Sequence, residues 1–188
     1  MENKVDKRII KTRQKLTDGL AEVLKTKNIR SVKVNELTVA SGVNRATFYL
    51  HYKDIEDFLE QTENELIREF TEIFDCNSLR MQRDGTFPAV HAVFEFISTH
   101  ATIINAIVGP NGDKNFSYHL ASIAREKIIH DLVKRNYENL IDHYSIYYMI
   151  NGCSGVIFKW INDGMKEPSE QMAKILDQFI SKGTRLIQ

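Results

Sequence analysis

The chain has 188 residues, 43% hydrophobic and 27% charged, with 25 basic residues matched by 25 acidic ones. This composition excludes collagen-like, mucin-like and disordered chains, and the length suffices to bury a core without disulfide staples. Cys76 and Cys153 form neither a framework nor a CxxC pair, which fits a reducing compartment and a cytoplasmic protein.

The zero net charge hides a division. Residues 1–53 hold 12 basic and 5 acidic residues, a net +7, and residues 54–188 hold 13 and 20, a net −7. A basic module on an acidic body points to a polyanionic partner.

The opening MENKVDKRIIKTRQK has no apolar run of the signal-peptide kind. A first helix is expected from about Lys7 to Thr26, with Ile9, Leu16, Leu20 and Leu24 on one face. Gly19 inside it costs about 1 kcal/mol relative to Ala, and a close helix crossing there would explain its presence. After a turn at 27–31, a short helix is expected over about 35–41, with Gly42 as its left-handed cap. Another covers about 45–51, with Asn44 placed to cap it. A long helix starts after Asp54, where Asp54 and Asp57 have capping-box spacing, and runs toward Phe74. The polar stretch 75–86, with Gly85, reads as a loop. Further helices are expected at about 87–107, 114–137, 140–164 and 168–187, broken at Gly109-Pro110-Asn111-Gly112 and at Glu167-Pro168-Ser169. No strand pattern appears, so the fold class is all-α.

The segment Tyr144 to Ile161 approaches membrane-span length, but Ser145, Asn151, Ser154 and Lys159 interrupt it, and Asp142 and Asp163 bound it. It reads as a helix buried on all sides, by its own core and by a second subunit.

Residues 33–53, KVNELTVASGVNRATFYLHYK, have the form of a helix-turn-helix. Leu37, Ala40, Val43 and Phe48 are expected to lock the second helix to the scaffold. Small and polar side chains on its exposed side then approach base edges in a major groove. Arg45 is the candidate base reader, since arginine bonds guanine O6 and N7 together; a phosphate contact is the competing role. Thr47 suits a thymine methyl or a phosphate. Lys33, Ala46, Tyr49, His51 and Lys53 complete the candidate surface, and Asn44 serves first as a cap. Tyr52 suits the core. The basic residues Lys4, Lys7, Arg8, Lys11, Arg13 and Lys15 suit flanking phosphates or simply a solvated face.

The string Ser41-Gly42-Val43-Asn44-Arg45-Ala46-Thr47-Phe48-Tyr49, followed by His51-Tyr52-Lys53 and Phe58-Leu59, resembles the DNA-binding region of TetR-type transcriptional regulators. The resemblance implies an all-helical homodimer with a three-helix DNA-binding domain over 1–53 and a helical effector-binding and dimerisation domain over 54–188. It departs at Ile55, where family members commonly carry a phosphate-holding lysine. Lys33 stands where Thr or Ser is frequent, and Thr38 and Ser41 replace small alanines. Residues 94–97, 105–107 and 152–161 are similar to the branch that includes activators of dihydroxyacetone kinase operons. Repression is the commoner mode in the family, and that branch leaves activation open.

In the body, Phe70, Phe74, Phe94, Phe116, Tyr118, Tyr147 and Tyr148 are candidates for an effector pocket or for plain core packing. Tyr144, Gly152, Val156 and Trp160, with Met172, Ile175 and Phe179 on the last helix, are candidates for a four-helix dimer interface. The six histidines have neither HxxxH nor HExxH spacing, Cys153 lies among apolar neighbours and reads as inert, and no catalytic glycine motif occurs. No metal, no cofactor and no enzymatic role is therefore expected. The expected partners are an operator in double-stranded DNA, a second copy of the chain, and a small-molecule or protein effector. Two alternatives are an activator switched by a protein partner and an all-helical ligand-binding or interaction protein without an operator.

Overall fold

The computed structural model describes residues 2–84, 86–133 and 140–185, and within them every side chain except those of residues 2–6, 77–84, 114, 128, 129, 131–133, 140–143 and 183–185. Gly85 and residues 134–137 of the expected fourth long helix lie outside the described residues. The described residues form nine α-helices and no strand. They are α1 (Glu2–Leu24), α2 (Val34–Ser41), α3 (Arg45–Tyr49), α4 (Ile55–Asp84), α5 (Phe87–Thr99), α6 (Ala101–Val108), α7 (Lys114–Val133), α8 (Leu140–Asn162) and α9 (Ser169–Arg185), with a single 3-10 turn at Ile29–Ser31.

Three expectations need correction. The stretch 75–84 is helical and continues α4. It lacks an apolar stripe, yet it also lacks Gly and Pro, and helix propagation from an established helix requires neither packing nor a new nucleus. The expected helix 87–107 is two helices, because His100 leaves helical geometry at φ −103°, ψ 22°. Ile9 is exposed, while Leu16, Leu20 and Leu24 are buried as the spacing predicts.

The helices fall into two compact units, Met1–Glu65 with His100–Phe116 and Leu66–Thr99 with Ser117–Gln188. The first is thus larger than the basic segment 1–53. In it α1 packs against α2 and α6. The turn after α6 closes the C-terminal end of α1: Asn111 Nδ2 donates to Leu24 O at 2.9 Å, and Ile29 N donates to Asn111 O at 2.8 Å. This satisfies one of the carbonyls that a helix end leaves without an intrahelical partner.

Gly19 marks the crossing of α1 and α2. A Cβ there would lie 2.6 Å from Ser41 Cβ and 2.8 Å from Ser41 Cα. Gly19→Ala gains about 1 kcal/mol of helix propensity but forces backbone apart, at about 1–3 kcal/mol. A net loss of stability is the expected outcome, read as a lower denaturant midpoint; a higher midpoint would show that the crossing yields.

In the second unit α9 packs on α5 and α8. Phe94 and Trp160 meet edge to face at 5.0 Å, and Trp160 Nε1 donates to Glu167 O at 3.1 Å. Phe70 stands 5.4 Å from Phe74 and 5.7 Å from Phe96. Thr86 Oγ1 donates to Asp177 at 2.6 Å and Ser169 Oγ to Glu95 at 3.2 Å, tying α9 to the α5 region. Gly164 N donates to Ile161 O at 3.0 Å and Met165 N to Trp160 O at 2.9 Å, ending α8 with a Schellman closure at left-handed Gly164 (φ 86°). Burial pushes the Cys153 thiol up to about 11, so it stays protonated at neutral pH. No single helix among the described residues is long and apolar enough to cross a membrane.

Candidate nucleic-acid interface

The site begins with a short turn. Gly42 takes φ 64°, which glycine adopts without strain, and ends α2. Asn44 Oδ1 accepts from Ala46 N at 2.8 Å, so this side chain starts α3 as a cap. α3 has only five residues, too few to be helical alone. Its helicity depends on Phe48, which is fully buried and touches Tyr52 and Phe58 at ring separations of 5.4 and 6.2 Å. Leu37 and Val43 are buried beside this lock, and Tyr52 is core as anticipated, with desolvation holding its hydroxyl above the ordinary value. Ala40 is not part of the lock. The inward stripe of α2 runs through Val34, Leu37, Thr38 and Ser41 at helical spacing, and Ala40 lies outside it, exposed.

The remaining side chains face out. Lys33, Asn44, Arg45, Ala46, Tyr49, His51 and Lys53 are exposed and Thr47 is half-buried. Arg45 reaches along the helix to its i+4 neighbour: its guanidinium lies 5.5 Å from the centre of the Tyr49 ring, and Nη2 donates to Tyr49 Oη at 3.4 Å. Leu50 is 79% exposed just beyond α3, and Val39 75% exposed on α2. Neither was singled out from sequence. Their signal is a large apolar residue one step out of the lock's register.

Two carboxylates fix the lysines at the edges. Glu36 accepts from Lys33 N at 3.0 Å and from Lys27 Nζ at 2.6 Å; Lys27 first and Lys33 second hold its carboxyl below the ordinary value. Asp57 accepts from Gln61 Nε2 and from Lys53 N, each at 2.8 Å, and Asp57 N donates to Asp54 Oδ1 at 2.8 Å. The expected capping box exists, with its return bond moved one residue to Lys53. Gln61 first, then Lys53, lower the Asp57 value below 3.8. A lowered folded-state value gives stability that is present above 3.8 and disappears as pH falls through the folded value. Asp57→Asn is therefore expected to melt below the wild type at neutral pH, with the gap closing under acid; thermal midpoints across pH check this, and a constant gap would contradict it.

Ile55 is buried at the start of α4, so its side chain serves the core rather than a phosphate. Of the basic arm, Lys7, Arg8, Lys11 and Lys15 are exposed. Arg13 instead forms an ion pair with Glu65 and donates to Gln61 O at 3.3 Å, fastening α1 to α4. The side chain of Lys4 lies outside the described residues.

The body candidates separate by position. Phe70, Phe74 and Phe94 are buried in the second unit, while Phe116 is buried in the first. Tyr118, Tyr147 and Tyr148 are exposed. On α8, Tyr144, Tyr148, Gly152 and Gly155 form an outward stripe, and a Cβ at either glycine would meet nothing within 4 Å. Phe179 is exposed on α9, and Val156 and Ile175 are half-buried. Trp160, 3% exposed, and Met172 belong to the chain's own core. Burial on all sides of α8 therefore does not occur within one chain; one face is covered and one is open.

A family model described as the transcriptional regulator C-terminal region, of TetR type, matches residues 84–182, more than half of the chain. The chain belongs to the TetR family of transcriptional regulators. The HTH-type transcriptional regulator YxbF of Bacillus subtilis (strain 168) is 33% identical to this regulator over 60 residues, 31% of this chain. That match spans 16% of the relative's own length. Two solved structures share the regulator's fold. The fatty acid degradation regulator FadR from Bacillus halodurans gives a TM-score of 0.60 at 12% identity, covering 89% of this chain and 93% of that one. The dihydroxyacetone kinase operon activator DhaS gives 0.62 at 15% identity, covering 93% and 97%. The all-helical reading and the family drawn from residues 33–59 therefore hold.

Proposed function

We propose that this TetR-family regulator binds, as a homodimer, a pseudo-palindromic operator in double-stranded DNA. Residues 1–53 carry the DNA contact, and residues 54–188 carry the effector and the second subunit. The observation behind this reading is the outward face of α3, with Arg45, Ala46, Thr47 and Tyr49 on a turn locked from behind by Phe48. Arg45 reads a guanine edge. Ala46 and the exposed Leu50 suit thymine methyls and sugars. Lys33, Tyr49, His51 and Lys53 hold phosphates, and Lys7, Arg8, Lys11 and Lys15 extend the positive surface.

The open stripe of Tyr144, Tyr148, Gly152 and Gly155, with Phe179, supports a second copy of the chain as its cover, because a two-fold pairing buries the same face on both subunits. Two recognition helices about 34–36 Å apart then enter successive major grooves. An effector in the body changes that separation and so the affinity.

Purified protein is mixed with intergenic fragments of its source genome at two salt concentrations. Retention of fragments sharing a near-palindrome, lost steeply as salt rises, is the expected result; equal retention of all fragments, or of none, overturns it. On the recovered site Arg45→Ala weakens binding by about 1–3 kcal/mol with the melting curve unchanged.

A further inference from the structure

The second unit holds a cation with no ionic partner among the described residues. Arg125 sits on α7, half-buried, and a guanidinium offers N–H donors and no acceptor. Arg125 Nε is buried and finds no acceptor among the described residues. Other cations of the second unit have ionic partners: Lys127 pairs with Asp75, Lys159 with Asp163, and Lys174 with Glu170. Glu126, next in the chain, is exposed. What Arg125 does have is the ring of Tyr147 on α8, whose centre lies 4.5 Å from Arg125 Cζ. At that distance the ring attracts the cation. The planar edge, with its fork of N–H donors, is the part that matches the two oxygens of a carboxylate or phosphate.

We propose that Arg125 and Tyr147 form a binding site for a small molecule bearing an oxyanion, a carboxylate or a phosphate group. Tyr147 holds the guanidinium through its ring, and the oxyanion gives the buried Nε–H its acceptor. Tyr147 is half exposed, so its side of the pair meets solvent. It also neighbours the Tyr144–Tyr148 stripe on the same helix, so an occupied site bears on the surface assigned above to the second subunit. The inference rests on the regulator reading in this respect only, that the ligand is then the effector.

The test uses the full chain, with acetate, benzoate, octanoate and inorganic phosphate as probes. Sodium chloride of equal ionic strength and octanol serve as controls. Unfolding temperature and titration calorimetry are followed for the wild type, Arg125→Lys, Arg125→Met and Tyr147→Leu. The expected result is that at least one oxyanion stabilises the wild type while chloride and octanol do not. Affinity then falls at least about tenfold in Arg125→Met and less in Arg125→Lys, which keeps the charge but loses the fork. The carboxylate and phosphate arms separate the two ligand sources. Should Arg125→Met fail to fold, Arg125→Lys and Tyr147→Leu carry the comparison. If no probe separates the wild type from these variants, the inference is wrong. Retention of operator fragments by the same wild-type preparation keeps the two readings apart: retention without an oxyanion effect removes this inference alone, and no retention removes the regulator reading.

Discussion

Phe48→Ala is expected to lose about 3–5 kcal/mol of stability and, with it, the shape of the DNA-facing surface. The side chain is fully buried, and truncating it leaves a cavity bordered by Tyr52 and Phe58. Small domains hold about 5–15 kcal/mol in total, so this one change removes a large share. The effect on function exceeds the effect on global stability. A five-residue helix has no cooperativity of its own; the cap at Asn44 and the anchor at Phe48 help to keep Arg45 and Tyr49 in register. Chemical denaturation and amide exchange over residues 44–50 check this. The expected variant shows a lower midpoint and fast exchange in α3, while an unchanged midpoint would mean that Leu37 and Val43 suffice as the lock.

Trp160→Asp has the second large effect, and its nature separates two pictures of α8. Trp160 lies within the chain's own core, edge to face with Phe94 and hydrogen-bonded to Glu167 O. Substitution removes that packing and buries an unpaired carboxylate, a combination in the range beyond about 4 kcal/mol where single changes unfold domains. The expected product is an unfolded second unit, not a folded monomer. Tyr148→Asp differs, because Tyr148 is 83% exposed and nothing in one subunit depends on it. It is expected to keep its helical signal and to lose dimer mass in light scattering. A folded Trp160→Asp monomer would contradict the assignment of Trp160 to the core.

The recognition segment was legible because each of its parts is local. Gly42 at a left-handed cap, Asn44 before a short helix and Phe48 four residues on are signals that act within one turn of chain. The extension of α4 over 75–84 was not legible, since a polar helix without an apolar stripe carries no periodicity. The break at His100 was hidden for the opposite reason: neither Gly nor Pro marks it. The composition of α8 showed a helix apolar nearly all round. It did not show which residue faces which surface, because a helix apolar nearly all round has no phase to read. Trp160 and Met172 thus turned inward, while Tyr144 and Tyr148 turned out. Ala40 and Ile9 fell outside the buried stripes for a related reason, a one-step error in phase. Arg13 looked like one more cation in a basic arm, and its ion pair to Glu65 is a long-range fact that spacing does not carry.

In the proposed mode of binding, Arg45 is the reader of sequence. The decisive measurement is the affinity of wild type and Arg45→Ala for the recovered operator and for each of its single-base-pair substitutions, at two salt concentrations. The wild type is expected to discriminate one guanine in each half-site by about 1–3 kcal/mol. Arg45→Ala should become indifferent at that position and keep its preferences elsewhere. An unchanged base profile in Arg45→Ala, with affinity lowered equally on every sequence and a shallower salt dependence, would make Arg45 a phosphate contact and contradict the reading of α3.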